Sequence, residues 1–309
     1  MDLKQIESFV RVAELGSFTR AATALGTPQP VLSRQVRQLE VELHQTLFAR
    51  TGRGVTLTEA GALLLAHGRG ILHQVNLARE ELGRVRNALS GQVSIGLPPS
   101  LARLLTVPLT LALRAELPEA TLTLTEGFSV SSLEGLRAGR LDMAVLYNPA
   151  AAPDLETSLL QRESLVLIGA QAQVAQARLR KRLPLAELAH LPLILPSRPN
   201  AFRLLVDAEL QKIALKPHVV IEIDGLNAIL ELVREGLGYA VLPGYTLGSV
   251  AQPEAYVTVR IESPRLDCEL MLARSARRAH TATQAAAERI VREVIQSALQ
   301  SHAHFGGKP

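Results

Sequence analysis

Apolar residues recur every three or four positions through most of the first ninety residues; beyond them, short apolar strands alternate with helical stretches. Leu3, Ile6, Phe9, Val10 and Ala13 keep helical spacing, and Gly16 predicts where that helix stops. Ser17 predicts the N-cap of a short helix ending near Leu25, in which Ala21 and Ala22 are small enough for close packing. Gly26 predicts a break, and Thr27 followed by Pro28 reads as a new N-cap with proline in the first helical position. From Pro28 to about His44, Leu32, Val36, Leu39 and Leu43 form one apolar stripe. Ser33, Arg34 and Arg37 then point largely the other way, with Gln29 and Pro30 in the first turn.

The stretch "LFARTGRGVTLTEAG" (47–61) reads as a short hairpin with Arg50 and Arg53 near its tip, where Gly52 and Gly54 permit positive φ. Thr56-Leu57-Thr58-Glu59 reads as a capping box, predicting a long helix to about Leu89. Along it Leu64, Gly68, Ile71, Val75, Ala78, Leu82, Val85 and Leu89 alternate steps of four and three. That heptad seam predicts a paired helix of about 45 Å, too long to be buried against one small head. Packing inside the chain is the alternative reading of the same seam.

After Ser90-Gly91 the pattern predicts strands at 92–97, 121–127, 141–147, 192–196, 218–223, 239–243 and 268–274. Helices are predicted at 101–116, 129–138, 200–214, 226–235 and 281–299, an α/β arrangement with a mainly parallel sheet. "RAGRLDMAVL" (137–146) and "REGLGYAVL" (234–242) echo one another, as two similar lobes would. The strand count fits a chain that crosses between lobes near 163–169 and 264–272. The expected organisation is a head (1–58), a linker helix (59–89), one lobe from 91–162 with 268–300, a second lobe (163–267) and a disordered tail (301–309).

Apolar residues make up 47% of the 309, so a substantial core is available, but aromatics are only 3% and aliphatic side chains must build it. No run approaches the ~20 apolar residues of a membrane span. The start has no basic-then-apolar layout, and the single cysteine, Cys268, excludes an internal disulfide and a cysteine-based zinc site; together these point to the cytoplasm. The net charge is +4, of which +3 falls in residues 1–90, a weak basic bias that suits a polyanion.

The short Ala-rich helix, the break at Gly26 and the polar-faced helix that follows match a helix-turn-helix whose second helix enters the DNA major groove by its N-terminal end. Gln and Arg can make bidentate contacts to base edges, and Ser and further Arg suit phosphates. In the α/β part, ligands bind beyond the carboxyl ends of strands, where helix N-termini offer free N–H groups. Those places hold Ser100, Ser129, Ser131, Ser197 and Asn200, a candidate set for a small, anionic effector, with Arg198 or Arg203 as possible counter-charge. Each of these polar residues reads equally as a helix cap. An enzyme is a poor fit: no P-loop, G-x-G-x-x-G or G-x-S-x-G is present, the histidines lack ligand spacing apart from His302-x-His304, and Asp142 and Asp224 are lone carboxylates. No metal or cofactor is expected. A solute-binding module without DNA function would leave the first third unexplained.

"SFTRAATALGTPQPVLSRQVRQLE" (17–40), then "LFARTGRGVTLTEAG", then the long helix, resemble the N-terminal domain of LysR-type transcriptional regulators. The resemblance implies an α+β multidomain chain: a winged helix-turn-helix, a linker helix, and a two-lobed α/β effector domain like periplasmic solute-binding proteins. It implies DNA contacts from Gln29, Pro30, Ser33, Arg34 and Arg37 and from wing residues Arg50 and Arg53. It also implies pairing through Leu64, Ile71, Val75, Leu82, Val85 and Leu89 into a dimer or tetramer. Duplex DNA, a small-molecule effector and RNA polymerase are the implied partners. Two positions depart from the family pattern: Pro28 replaces a small polar residue, and His44 stands where glycine usually ends the recognition helix. "ALSGQVSIGLPPS" and "LDMAVLY" look like the branch containing the nitrogen assimilation control protein, a local resemblance.

Overall fold

The structure is a computed structural model that describes residues 1–51, 54–84, 89–278 and 280–301. Its contacts divide the chain into two units, residues 1–88 and 89–309. In the first, α1 (Leu3–Leu15), α2 (Phe18–Leu25) and α3 (Gln29–Leu43) are followed by strands β1 (Phe48–Thr51) and β2 (Gly54–Leu57) and by helix α4 (Glu59–Arg84). Ile6, Phe9, Val12, Ala21, Leu32, Val36, Leu39 and Leu47 are buried together, so the apolar stripe of α3 is what seats it on α1 and α2. Phe48 closes this core against Phe9 and Phe18, with ring centroids 5.2 and 5.7 Å away.

Gly16 and Gly26 end the first two helices in the left-handed conformation, and Ser17 accepts the Arg20 N–H as the expected cap. The start of α3 differs from expectation. Pro28, not Thr27, is its N-cap, and the Thr27 hydroxyl donates to the Leu25 carbonyl instead. Pro30 in the second helical position removes an N–H that a side-chain cap would serve, so the Pro28 carbonyl takes the Val31 and Leu32 amides alone. At the other end His44 adopts φ 52°, ψ 35°, the left-handed geometry that glycine usually supplies. Glu40 then reaches past this turn, accepting the Leu47 N–H at 2.8 Å and the Phe48 N–H at 3.3 Å, which ties α3 to the hairpin.

The hairpin pairs Phe48 with Leu57 and Thr51 with Gly54, so Arg50 lies in β1 opposite Val55, while Arg53 lies outside the described residues. Val55 donates its N–H to the Gly16 carbonyl, and a Cβ on Gly54 would come within 2.5 Å of that oxygen. Helix α4 is capped by Thr58, whose hydroxyl accepts the Gly61 N–H at 3.0 Å. The expected Thr56 box does not form, because Thr56 is paired with Ala49 in β2.

The paired seam is also redrawn. Leu64 and Ile71 are half-buried against the head's own core, and Gly68 lets α4 approach Val10 and Ile6. Val75 is half-buried without joining that core. Val85 lies outside the described residues, and for Leu82 only the helical backbone is described. Leu89 is not helical and packs on the core of the second unit. The reason is periodicity: the apolar positions that pair two long helices also suit one helix lying on a neighbour.

The second unit begins with β3 (Gly91–Leu97), α5 (Pro99–Glu116), β4 (Ala120–Glu126), α6 (Ser129–Ala138) and β5 (Met143–Tyr147). Strand β6 (Leu155–Ala170) follows, then α7 (Gln171–Gln176), β7 (Arg182–Pro184) and α8 (Leu185–Leu188). The remaining elements are β8 (Leu193–Leu195), α9 (Ala201–Lys212), β9 (Val219–Glu222), α10 (Leu226–Arg234), β10 (Ala240–Pro243), a 3₁₀ turn (Gly244–Ser249), β11 (Tyr256–Glu262), β12 (Asp267–Ser275) and α11 (Ala282–Ser301). Strands β4, β3 and β5 run parallel, and β12 closes them antiparallel. Strand β6 pairs with β12 from Leu155 to Ser164, then with β10 and β11 from Leu165 to Ala170. It therefore belongs to both lobes, and the return passage comes between β11 and β12, where the Leu165 N–H meets the Leu266 carbonyl at 2.8 Å. Both echoed segments end a helix at a glycine with positive φ, Gly139 at 70° and Gly236 at 75°, before a buried strand.

Gly61→Ala tests the close seating of α4. Its Cβ would lie 2.2 Å from the Leu47 carbonyl oxygen, a backbone atom that cannot swing aside. Urea unfolding should show a loss on the order of 1–3 kcal/mol, the range for forced overpacking.

Candidate DNA interface and effector cleft

In the head, burial of Leu32, Val36 and Leu39 turns the opposite face of α3 outward. Gln29, Pro30, Arg34 and Arg37 are exposed and Ser33 is half-buried, so the five side chains share the N-terminal, solvent-facing half of α3. Arg34 and Arg37 have no ion pair or hydrogen bond among the described residues, whereas Arg11 and Arg69 are held by Glu14. Two unpaired guanidinium groups and an amide on the first turns of an exposed helix form a surface able to hydrogen-bond base edges and phosphates.

In the second unit a cleft opens where the N-termini of α5, α6, α9 and α10 approach one another. Its lining includes Pro98, Pro99 and Ser100 from one lobe and Pro196, Asn200, Ala201, Asp224 and Leu226 from the other. Ser129 lines it too, with its hydroxyl accepting the Tyr147 N–H at 3.2 Å. The space measures about 470 Å³ with its open mouth included.

Three of the five polar residues named from the sequence line this cleft: Ser100, Ser129 and Asn200. Ser131 does not; it is exposed and its hydroxyl donates to the Phe128 carbonyl at 2.9 Å. Ser197 does not line it either: its N–H and hydroxyl both go to the Asp224 carboxylate at 2.7–2.9 Å, which gives that carboxylate a structural partner. Asn200 is the N-cap of α9, with its side-chain oxygen accepting the Phe202 N–H at 2.9 Å. Asp142 likewise takes the Ser94 N–H and hydroxyl at 2.7 and 2.6 Å, joining the start of β5 to β3.

The arginine counter-charge is corrected. Arg203 is buried and spends its guanidinium on Asp207 at 3.1 Å and Glu222 at 2.6 Å, and Arg198 reaches Asp207 at 2.7 Å. Neither lines the cleft. The contributors that sequence reasoning did not name as ligand contacts are apolar: Phe128, Phe202, Ile229 and Leu242, with the Tyr147 ring tilted against Phe202 at a centroid distance of 4.6 Å. In a chain with only six Phe and four Tyr, aromatics at a strand end and at helix starts were the available signal.

A head that presents an exposed polar helix, joined to a two-lobed body with a cleft between its lobes, defines the class of ligand-responsive DNA-binding regulators. The chain belongs to the LysR family: residues 3–62 match the bacterial regulatory helix-turn-helix protein, lysR family, and residues 86–296 match the LysR substrate binding domain. It is 37% identical over 302 residues to the nitrogen assimilation regulatory protein nac of Escherichia coli, covering 97% of this chain and 96% of that one. The nac protein of Klebsiella aerogenes is 36% identical, with 90% of each chain covered. Among solved structures, a full-length OxyR variant from Pseudomonas aeruginosa shares the fold with a TM-score of 0.77 at 24% identity, covering 96% of this chain and 95% of that one. CbnR in complex with its target DNA gives 0.65 at 24% identity, covering 95% and 100%. The protein is thus a DNA-binding transcriptional regulator with an effector-binding domain.

Asn200→Ala removes a cap from a buried helix start, and chemical denaturation of the protein should show the second unit weakened by about 1 kcal/mol. An undiminished stability would leave Asn200 available as a ligand contact instead.

Proposed function

We propose that the protein binds two half-sites of promoter DNA with paired heads, and that a small molecule in the cleft biases the arrangement of those heads. The observation that carries this reading is the exposed, unpaired Arg34 and Arg37 beside Gln29 at the start of a helix whose other face is buried. Gln29 and Arg34 read base edges in the major groove; Ser33 and Arg37 hold phosphates, and Pro30 sets the tip. Arg50 and Arg53 of the hairpin reach the neighbouring backbone or minor groove. The chain pairs through Val75 and Leu82 of α4 and through Val85, with Leu64 and Ile71 shared between that contact and their own head, and two pairs assemble a tetramer. RNA polymerase is the downstream partner, and the protein works in the cytoplasm as a regulator rather than an enzyme. The family match supports these assignments.

The effector is a small molecule with an apolar body, which Phe128, Phe202, Leu226 and Leu242 accommodate. Its polar end meets Ser100, Ser129 and the adjoining helix N-termini. An anionic group there is held by hydroxyl and main-chain N–H donors, since Arg198 and Arg203 are engaged elsewhere.

Two measurements test the reading. In a mobility-shift titration on the intergenic DNA beside its own gene, Arg34→Ala should weaken specific binding by about 1–3 kcal/mol. Arg37→Ala should weaken all sequences alike and reduce the salt slope by about one. Unchanged affinity in both variants, or no binding to any neighbouring promoter fragment at low salt, rejects the proposed reading face.

A further inference from the structure

Glu163 stands on β6 two residues before that strand changes partners. Its carboxyl is turned inward, and among the described residues neither oxygen touches solvent or finds a hydrogen-bond partner. The groups around it are acids. Tyr147 approaches from β5, Tyr245 from the turn after β10, and Cys268 from the paired position on β12, and its charge would raise the pKa of all three. The charged residues on the adjoining strand positions are engaged elsewhere: Arg162 pairs with Glu269, and Asp267 accepts the Ser164 hydroxyl. Arg260 lies further along, on β11 opposite Val166.

The two tyrosines do more than surround this group. The Tyr245 hydroxyl, carried by the second lobe, hydrogen-bonds the Tyr147 hydroxyl and donates to Ser100 at 3.1 Å, both on the first lobe. Tyr147 and Ser100 also line the cleft. A bridge of three hydroxyls thus joins the lobes behind the ligand space, with an unpaired acid beside it at the crossing strand.

We infer that Glu163 is a proton-dependent lock on the arrangement of the two lobes. As the neutral acid it sits beside the hydroxyl bridge with no buried charge, and the crossing bears only the smaller cost of an uncharged polar group. As a carboxylate it is a buried charge with no counter-ion, and opening of the β6 crossing lets it reach water. Burial pushes its carboxyl from the ordinary 4.5 up to about 8. The closed crossing therefore holds one proton more than the opened one between those values. Closure weakens as pH rises through that window and levels off above it.

Amide hydrogen exchange of Leu165, whose N–H bridges the crossing, reads this in the full-length protein without DNA or ligand. After correction for intrinsic exchange, protection in the wild type should fall about tenfold between pH 7 and pH 9, the change expected for a group of pKa about 8. Glu163→Gln, which keeps the shape and removes the ionisation, should give a flat profile. Tyr245→Phe should keep the step but lower protection at every pH. A flat wild-type profile, a step that survives in Glu163→Gln, or unaltered protection in Tyr245→Phe overturns the proposal. None of these outcomes bears on the DNA reading, which the mobility-shift experiment decides separately.

Discussion

A single strand shared by two lobes is the constraint on which the effector-binding half depends. Strand β6 gives its first ten residues to β12 and its last six to β10 and β11, so neither lobe can finish its sheet without it. This sets the separation of the lobes at their back. It also aims the carboxyl ends of the parallel strands, and the helices that follow them, at a common space. The cleft is therefore a product of topology first and of its lining second. Lobe motion has only two short passages to bend, one at Ser164–Leu165 and one just before Asp267.

Most of the architecture was legible in the sequence because burial dictates it. The stripe on α3, the alternation after Gly91 and the glycine stops each follow from a periodicity that hydrophobic burial imposes. The parts that were not legible fall where two physical readings share one pattern. Thr27-Pro28 fits a cap one residue too early, and only the second proline, Pro30, shifts the helix start. Thr56 and Thr58 compete for the same cap, and strand pairing decides between them. The α4 seam suits a partner helix and α1 equally well, and for Leu64 and Ile71 the head's own core takes a share. Strand β6 is exposed or half-buried along nearly all of its first ten residues and buried throughout its last six, so no one period marks it.

The cleft was legible as a place more than as chemistry. Helix starts located Ser100, Ser129 and Asn200, since short polar residues collect where N–H groups need partners. Partners that are distant in the chain cannot be read from spacing: Ser197 is claimed by Asp224 and Arg203 by Glu222, across 27 and 19 residues. Glu163 carried no signal at all, because an acid in a strand with an exposed half looks like solvated charge until its oxygens are found buried.

The hairpin of the head is fastened to the α1–α2 turn through main-chain atoms, with Val55 bonded to the Gly16 carbonyl and Gly54 lying tight against it. Such an anchorage is indifferent to what the loop displays. The side chains that the hairpin carries outward can therefore change while the mounting stays put, so variety can accumulate there without a penalty in architecture.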